Sequence, residues 1–465
     1  MTKTTQTLQL LRDFESRNVL FSEPDGSWPI VWERAQGVHV WDAAGEKYLD
    51  LTAAFGVAAA GHANPKVVRA GQAQLARLPH AMGDVHPHAR KAELARELSR
   101  ITFERWTVAA NVNSRTDRSI RRFTSAATGK TIFSNSGFEA VESALKTAML
   151  ATGKRGVIAF EGAYHGLGYG ALNATHRDFF RRPFRTQLGE FGHFVPFPNN
   201  PEGRATRVPK KSDIRNSCNS SLRNIEACIR HLFRHKSIGA ILVEPIQARG
   251  GINIPPPEFL PLLRRLCDEH GALLILDEIY TGFGRTGKWF AYEHAGVVPD
   301  LICLGKALTG GFPLSACVGR ADLMDAAWPA SRGEAIHTST FLGNPVGCAM
   351  ALAQIKEIER LELPRRSAEL GAHLLKLLSI LHPPSSIRVS CRGLGLMAGV
   401  ELRLANGKPA TKGAMQAIKK MLHRGFILLP EGEHANVISF TPPLTITEAQ
   451  LAKAVAALAQ VLNHE

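Results

Sequence analysis

No apolar run in this 465-residue chain approaches the roughly 20 residues that a membrane-spanning helix needs. No helical membrane span is therefore expected. Cysteine is scarce and scattered: Cys218, Cys228, Cys267, Cys303, Cys317, Cys348 and Cys391, with no CxxC pair. An odd, dispersed set in a long chain excludes a disulfide framework and predicts reduced thiols. The opening MTKTTQTLQLLRDFESR lacks the apolar core and small-residue cleavage site of a secretory signal. Its acidic residues do not suit an organelle transit peptide, so a cytoplasmic location is expected.

What is present is the balance of a globular protein, with 45% hydrophobic and 21% charged residues. The length is too great for one ordinary core and predicts two or three domains. The net charge of +15 raises the question of a polyanionic partner. Its distribution answers it. Residues 111–128 carry Arg115, Arg118, Arg121 and Arg122 against Asp117, a net of +3. Residues 203–223 carry Arg204, Arg207, Lys210, Lys211, Arg215 and Arg223 against Asp213, a net of +5. Eight of the fifteen charges thus sit in two Ser/Asn/Arg-rich stretches without apolar period. They predict solvated insertions, and with no recognised binding motif beside them no nucleic-acid partner is expected.

VHVWDAAGEKYLDL, from Val38 to Leu51, alternates around a turn at Ala44-Gly45 and predicts a hairpin. Helices are expected over Pro65–Leu78 and Ala89–Ile101. Short apolar runs then alternate with helical spacing: strands at Thr131–Ser134, Gly156–Phe160, Ala240–Glu244, Ala272–Leu276 and Leu301–Leu304. A helix opens at Ser136, where Ser136 and Glu139 form a capping-box pattern, and another runs from Glu258 to His270. Continuous apolar strands separated by helices predict an α/β fold with a mostly parallel sheet covered on both faces. Past residue 335 come helices over Pro345–Leu361, Arg366–Leu381 and Thr447–Leu462, with strands at Gly395–Leu402 and Ile427–Leu429. The expected division is 1–75, an N-terminal segment joining the small domain; 76–335, a large domain; and 336–465, a smaller α/β domain.

Functional groups of an open α/β sheet gather at the carboxyl ends of its strands. Three strand ends carry unusual residues: Asp277 ends ALLILD, Lys306 follows LICLG, and Ser136-Gly137 follows TIFSN and opens a helix. A helix N-terminus suits a phosphate. A buried aspartate suits a protonated ring nitrogen. A lysine in apolar, Gly-rich surroundings suits attack on an aldehyde. Phosphate, pyridinium and aldehyde together describe pyridoxal 5'-phosphate.

SNSGFEAVESALKTA, FEGAYHGLGYG, LVEPIQARGG, LLRRLCDEHGALLILDEIYTGFGRTGKWFA, PDLICLGKALTGGFPL, HTSTFLGNPVGCAMAL and CRGLGLMAGVEL, in that order, resemble the class III aminotransferases. That family includes the 4-aminobutyrate, ornithine and acetylornithine enzymes. The resemblance runs from about residue 34 to the C-terminus. It implies the fold type I architecture of pyridoxal-phosphate enzymes and a homodimer. It also implies ping-pong transfer of an amino group from an amino acid or ω-amine to a 2-oxo acid. Lys306 would hold the cofactor as a Schiff base and shuttle the proton. Asp277 would keep the pyridine nitrogen protonated. Ser136, Gly137 and the Phe138 N–H would bind the phosphate, with Tyr164 stacked on one ring face and Ile279 on the other. Thr340 would reach the neighbouring subunit's cofactor, and Arg392 would bind a substrate carboxylate.

Several positions depart from the family pattern. Phe138 replaces a small or hydroxyl residue. Tyr280 stands where Gln is common. Arg249 stands where many relatives carry the Glu that masks the residue matching Arg392, and a second cation there would recruit another carboxylate. Leu167 replaces the Arg that 4-aminobutyrate enzymes carry. The same fold also serves aminomutases and racemases, and these departures would suit a catalytically degenerate binding protein. GFGRTG, Gly282 to Gly287, matches a dinucleotide fingerprint, but no strand leads directly into it and no periodic helix follows. His86-Pro87-His88 has no cysteine or carboxylate cluster at ligand spacing, so no metal is expected. His165 is expected to shape the pocket beside Tyr164.

Overall fold

A computed structural model describes residues 2–23, 28–106, 128–198, 221–381 and 385–463. Near the N-terminus β1 (Trp32–Gln36), β2 (His39–Asp42) and β3 (Lys47–Asp50) form an antiparallel meander. The expected turn joins β2 to β3: the Asp42 carboxylate accepts from the N–H groups of Ala44 and Glu46, and Gly45 adopts φ +89°.

The central sheet holds β4 (Gly129–Ser134), β5 (Gly156–Phe160), β6 (Gly192–Val195), β7 (Ile238–Val243), β8 (Leu273–Asp277), β9 (Leu301–Leu304) and β10 (Ser315–Arg320). Their spatial order is β4-β10-β9-β8-β7-β5-β6, and only β10 runs antiparallel to its neighbours. The interior strands are apolar throughout because both faces are covered. Ile241, Val243, Leu274, Leu276, Ile302 and Leu304 pack in the same core as helix Phe259–His270. The alternate residues Ala240, Leu242, Ile275, Leu301 and Cys303 pack with helix Gly137–Thr152 on the other side.

A third sheet contains β11 (Ile387–Gly393), β12 (Ala398–Leu404), β14 (Leu429–Glu431) and β15 (Val437–Phe440), while β13 (Phe426–Ile427) leaves it to pair parallel with β3. β10, β11 and helix Leu222–His235 were not anticipated, and the basic stretch expected to end in loop at 223 in fact enters that helix at Leu222. Residues 203–220 of that stretch lie outside the described residues, as do residues 111–127 of the other basic stretch.

The GFGRTG segment forms consecutive turns and opens no helix. Its Arg285 is buried and donates from Nη1 to the carbonyls of Leu396 (2.9 Å) and Pro442 (2.6 Å). Burial pushes this guanidinium down to about 10. Gly395 lies so close to this turn that an added Cβ would sit 2.4 Å from the Thr286 carbonyl carbon. The motif is therefore a clamp between the central sheet and the C-terminal part. His88 caps helix Ala89–Ser99, accepting from the Lys91 N–H, and its other ring nitrogen meets the Gly343 carbonyl at 2.8 Å. The cysteines among the described residues are free, and no helix there is long and apolar enough to cross a membrane.

Candidate active site

Five parallel strands end on one edge of the central sheet, and each delivers a polar group there. β8 ends in Asp277, β7 is followed by Glu244, β9 by Gly305-Lys306, β5 by the turn that carries Tyr164 and His165, and β4 by Ser136. A cavity of about 350 Å³ opens at this edge. Gly137, Phe138, Tyr164, Asp277, Ile279, Lys306 and Arg249 all line it, as expected from the sequence.

Lys306 adopts φ +40°, a conformation uncommon for a side-chain-bearing residue, directly after an extended Gly305. Its Nζ lies 4.7 Å above the Tyr280 ring centroid. Burial lowers its pKa, opposed by the nearby carboxylates of Asp277, Glu244 and Glu431. A larger neutral fraction makes a better nucleophile. The Tyr280 hydroxyl pairs with Thr441 at 3.2 Å, and its ring, not its oxygen, faces the lysine.

Asp277 is buried and held from two sides. His165 Nδ1 lies 2.7 Å from Oδ2, and the Ile279 N–H donates to Oδ1 at 3.1 Å. His165 is itself buried, with Nε2 unpartnered. The histidine expected to shape the pocket does so by fixing this carboxylate. Glu244 accepts from the N–H groups of Tyr164 (3.0 Å) and Ala248 (3.1 Å), and burial pushes it up to about 7.

Helix Gly137–Thr152 points its N-terminus at the cavity. The Glu139 carboxylate accepts from the N–H groups of Asn135 and Ser136 and from the Ser136 hydroxyl, which fixes the turn before the helix. At Gly137 an added Cβ would sit 3.0 Å from Ile279 Cδ1. Phe138 is 39% exposed and lies against Gly166 and Gly168, where added Cβ atoms would come within 2.3 Å of its Cβ and 2.4 Å of its ring carbon Cδ2. Of the two glycines of YHGLG, Gly168 makes room for the aromatic ring that replaces a smaller residue.

Three expected residues do not line this cavity: Thr340, Arg392, and Ser136, which precedes Gly137 and is held by Glu139. Thr340 is exposed on the surface, beside the His80–Phe341 ring contact and the Thr338–Asp84 hydrogen bond. Arg392 has every guanidinium nitrogen engaged: Nε meets the carbonyls of Gly251 and Ile252, Nη2 that of Gly251, and Nη1 the Glu401 carboxylate at 2.7 Å. Two charged residues that the sequence did not single out contact Arg249. Arg177 donates to the Arg249 carbonyl at 2.6 Å, and buried Glu431 lies 3.6 Å from Arg249 Nε.

The aminotransferase class-III family model matches residues 21–462. The chain belongs to the class-III aminotransferases. Among curated relatives of this class-III aminotransferase, 5-aminovalerate aminotransferase of Pseudomonas aeruginosa is 36% identical over 94% of both chains. The acetylornithine aminotransferase of Methanosarcina mazei is 35% identical over 94% of this chain and 92% of its own. The 4-aminobutyrate aminotransferase of Escherichia coli is 34% identical over 94% of both. Among solved structures, an aminotransferase from Bacillus anthracis superposes with a TM-score of 0.81 at 26% identity, covering 99% of both chains. The ornithine aminotransferase of Toxoplasma gondii superposes with a TM-score of 0.79 at 25% identity, covering 99% of this chain and 95% of its own. The class-III enzyme thus has the fold type I architecture, uses pyridoxal 5'-phosphate, and moves an amino group from a donor to a 2-oxo acid. The residues present suit that cofactor: an amine of lowered pKa, a buried fixed carboxylate, and a helix N-terminus opened by a glycine packed against Ile279.

Proposed function

We propose that this aminotransferase takes terminal, ω-type amines as donors and anchors the cofactor on Lys306. The carrying observation is the convergence of Lys306, the His165-braced Asp277 and the Gly137 helix N-terminus on one cavity. Three relatives named above, acting by name on 5-aminovalerate, 4-aminobutyrate and acetylornithine, support a donor whose reacting amine ends an alkyl chain.

The bound cofactor supplies an electron sink that lets a proton leave the carbon bearing the nitrogen. Lys306 holds the cofactor and then carries that proton, its amine kept partly neutral by burial. Asp277, oriented by His165, would keep a positive charge on the cofactor's ring nitrogen. The N–H groups of Gly137 and Phe138 and the Ser136 hydroxyl would hold the phosphate. Tyr164 and Ile279 would pack against the ring. Leu167 stands exposed at the cavity, so this position offers no cation to a distal carboxylate.

The working unit is a homodimer in which Thr340 completes the neighbouring subunit's phosphate site. Its exposure among the exposed Ile336 and Phe341, away from its own cavity, supports this reading. The pairing of β3 with β13 supports grouping residues 1–75 with 336–465 as one domain against 76–335. Free thiols suit the cytoplasm.

The test is chemical. Borohydride reduction of the holoprotein, followed by peptide mapping, should fix the cofactor on Lys306. A donor panel with pyruvate and 2-oxoglutarate should then show terminal amines bleaching the cofactor's visible band. Attachment to a different lysine would refute the assignment, and bleaching by α-amino acids alone would refute the donor class.

A further inference from the structure

Tyr280 stands where Gln is common in the family, and a ring offers a cation something that an amide lacks. The face of a phenol ring is electron-rich. An ammonium within about 6 Å of its centroid is attracted to it, and more strongly where water is excluded. Lys306 Nζ lies over the Tyr280 ring, 4.7 Å from the centroid, and both residues line the cavity.

The ring is held from two sides. Its hydroxyl pairs with Thr441 Oγ1 at 3.2 Å, and Thr441 donates to the Thr52 carbonyl at 3.3 Å. With the threonine proton used there, the tyrosine is the donor of the pair. Gly56 closes the other side, where an added Cβ would sit 3.0 Å from Tyr280 Cε1. Gly56 ends a turn in which Ala53, Ala54 and Phe55 adopt φ of +46°, +49° and +61°. Three such residues in a row are unfavourable for side-chain-bearing positions and persist only where their surroundings impose them. Buried Asp50 imposes them here. Its Oδ1 accepts from the Thr52 N–H (2.8 Å) and hydroxyl (2.6 Å), its Oδ2 accepts from the Ala54 N–H (3.2 Å), and His62 Nε2 lies 2.7 Å from Oδ2. Carboxylate, left-handed turn, threonine and ring form one continuous support that ends under Lys306.

Resting on the assignment of Lys306 as the cofactor-bearing lysine, we propose that Tyr280 is a positioning residue whose ring face seats the Lys306 ammonium whenever that amine is free of the cofactor. A lysine stem is flexible, and three carboxylates, Asp277, Glu244 and Glu431, act on its charge from nearby. A tight ion pair with any of them would draw the amine aside and hold its proton. The ring attracts the ammonium without taking the proton, so the amine stays in place and can still give it up. Burial pushes the Tyr280 hydroxyl up to about 12, so the ring itself stays neutral while the lysine titrates. Burial and Arg249 oppose the charged lysine, while the three carboxylates and the ring favour it.

The experiment reads the lysine, not turnover. Acetylation of the apoprotein with trace isotopic acetic anhydride, quantified by mass spectrometry across pH, gives the titration midpoint of Lys306. Tyr280→Leu keeps an apolar neighbour but removes the ring face, and should lower the midpoint by about 0.5 pH unit or more. Tyr280→Phe keeps the face and should stay near wild type. Replacing Tyr280 by phenylalanine analogues with one, two and three ring fluorines keeps the shape but drains the face, and the midpoint should fall with each fluorine. Equal midpoints in wild type, Tyr280→Phe and Tyr280→Leu would overturn the seat, as would midpoints indifferent to fluorination. Should Tyr280→Leu fail to fold, the fluorinated series alone decides. A cofactor fixed by borohydride on a different lysine would instead sink the lysine assignment, whatever the midpoints show.

Discussion

Replacing Gly168 by alanine tests whether the Phe138 ring sets the mouth of the cofactor site. Gly168 has φ −64°, which alanine adopts freely, so the backbone contributes no strain. The added methyl would meet Phe138 Cδ2 at 2.4 Å and Cε2 at 2.6 Å. Ordinary carbon contacts lie near 3.5–4.0 Å, so the ring must move by about 1 Å or more. Overpacking of this kind costs about 1–3 kcal/mol. The ring, 39% exposed, escapes by swinging across the cavity that it lines. A cost of ~2 kcal/mol carried by the cofactor-binding conformation corresponds to about a thirtyfold weaker cofactor Kd. The assay is fluorescence titration of the apoprotein with pyridoxal 5'-phosphate. Phe138→Ala in the Gly168→Ala background should recover most of the loss. Full recovery is not expected, because the methyl also approaches Glu142 Oε1 at 2.8 Å. A double variant that binds no better than Gly168→Ala would refute the reasoning.

Other perturbations have equally definite outcomes. Lys306→Ala should abolish turnover and the visible band of the bound cofactor, and retained turnover in a steady-state assay would remove the lysine from the chemistry. Arg285→Met should destabilise the fold by about 3–5 kcal/mol, since it strips two carbonyls of a buried charged donor; a thermal melt within 1 °C of wild type, roughly the scale of a negligible change, would contradict that. Glu357, held down to about 2 chiefly by hydrogen bonds from Arg360, also pairs with Lys66 and so ties helix Pro65–Arg77 to helix Pro345–Arg360. Its contribution is complete above the ordinary carboxylate range and is lost as pH falls towards 2. With both cationic partners half-exposed, it amounts to about 1–2 kcal/mol. Glu357→Gln should therefore lower the melting temperature at pH 7 and lower it less at pH 3.5; a gap that does not narrow would show the loss to be one of packing.

Much of this was legible in sequence because buried parallel strands are apolar from end to end, so the polar residue closing each run stands out. Asp277 and Lys306 were visible for that reason, and Glu244, which closes AILVE, follows the same rule. Arg177 and Glu431 had no such signal: one lies just before a four-residue helix and the other on a three-residue strand, and only tertiary packing brings them to Arg249. Arg392 looked available because a sequence shows a guanidinium but not the carbonyls that fill it. β11 alternates exposed and partly buried residues under a charged surface, which hid its strand period. Helix Leu222–His235 was obscured by the basic stretch leading into it.

The bond between β3 and β13 has a consequence for biosynthesis. Leu49 and Phe426 are neighbours in space but about 380 residues apart along the chain, which at 5–20 residues per second separates their emergence by roughly 20–75 s. The early meander must wait that long with one edge bare, a template for stray pairing until its own late partner arrives. Ribosome-bound intermediates truncated before Phe426 are where chaperone dependence should concentrate.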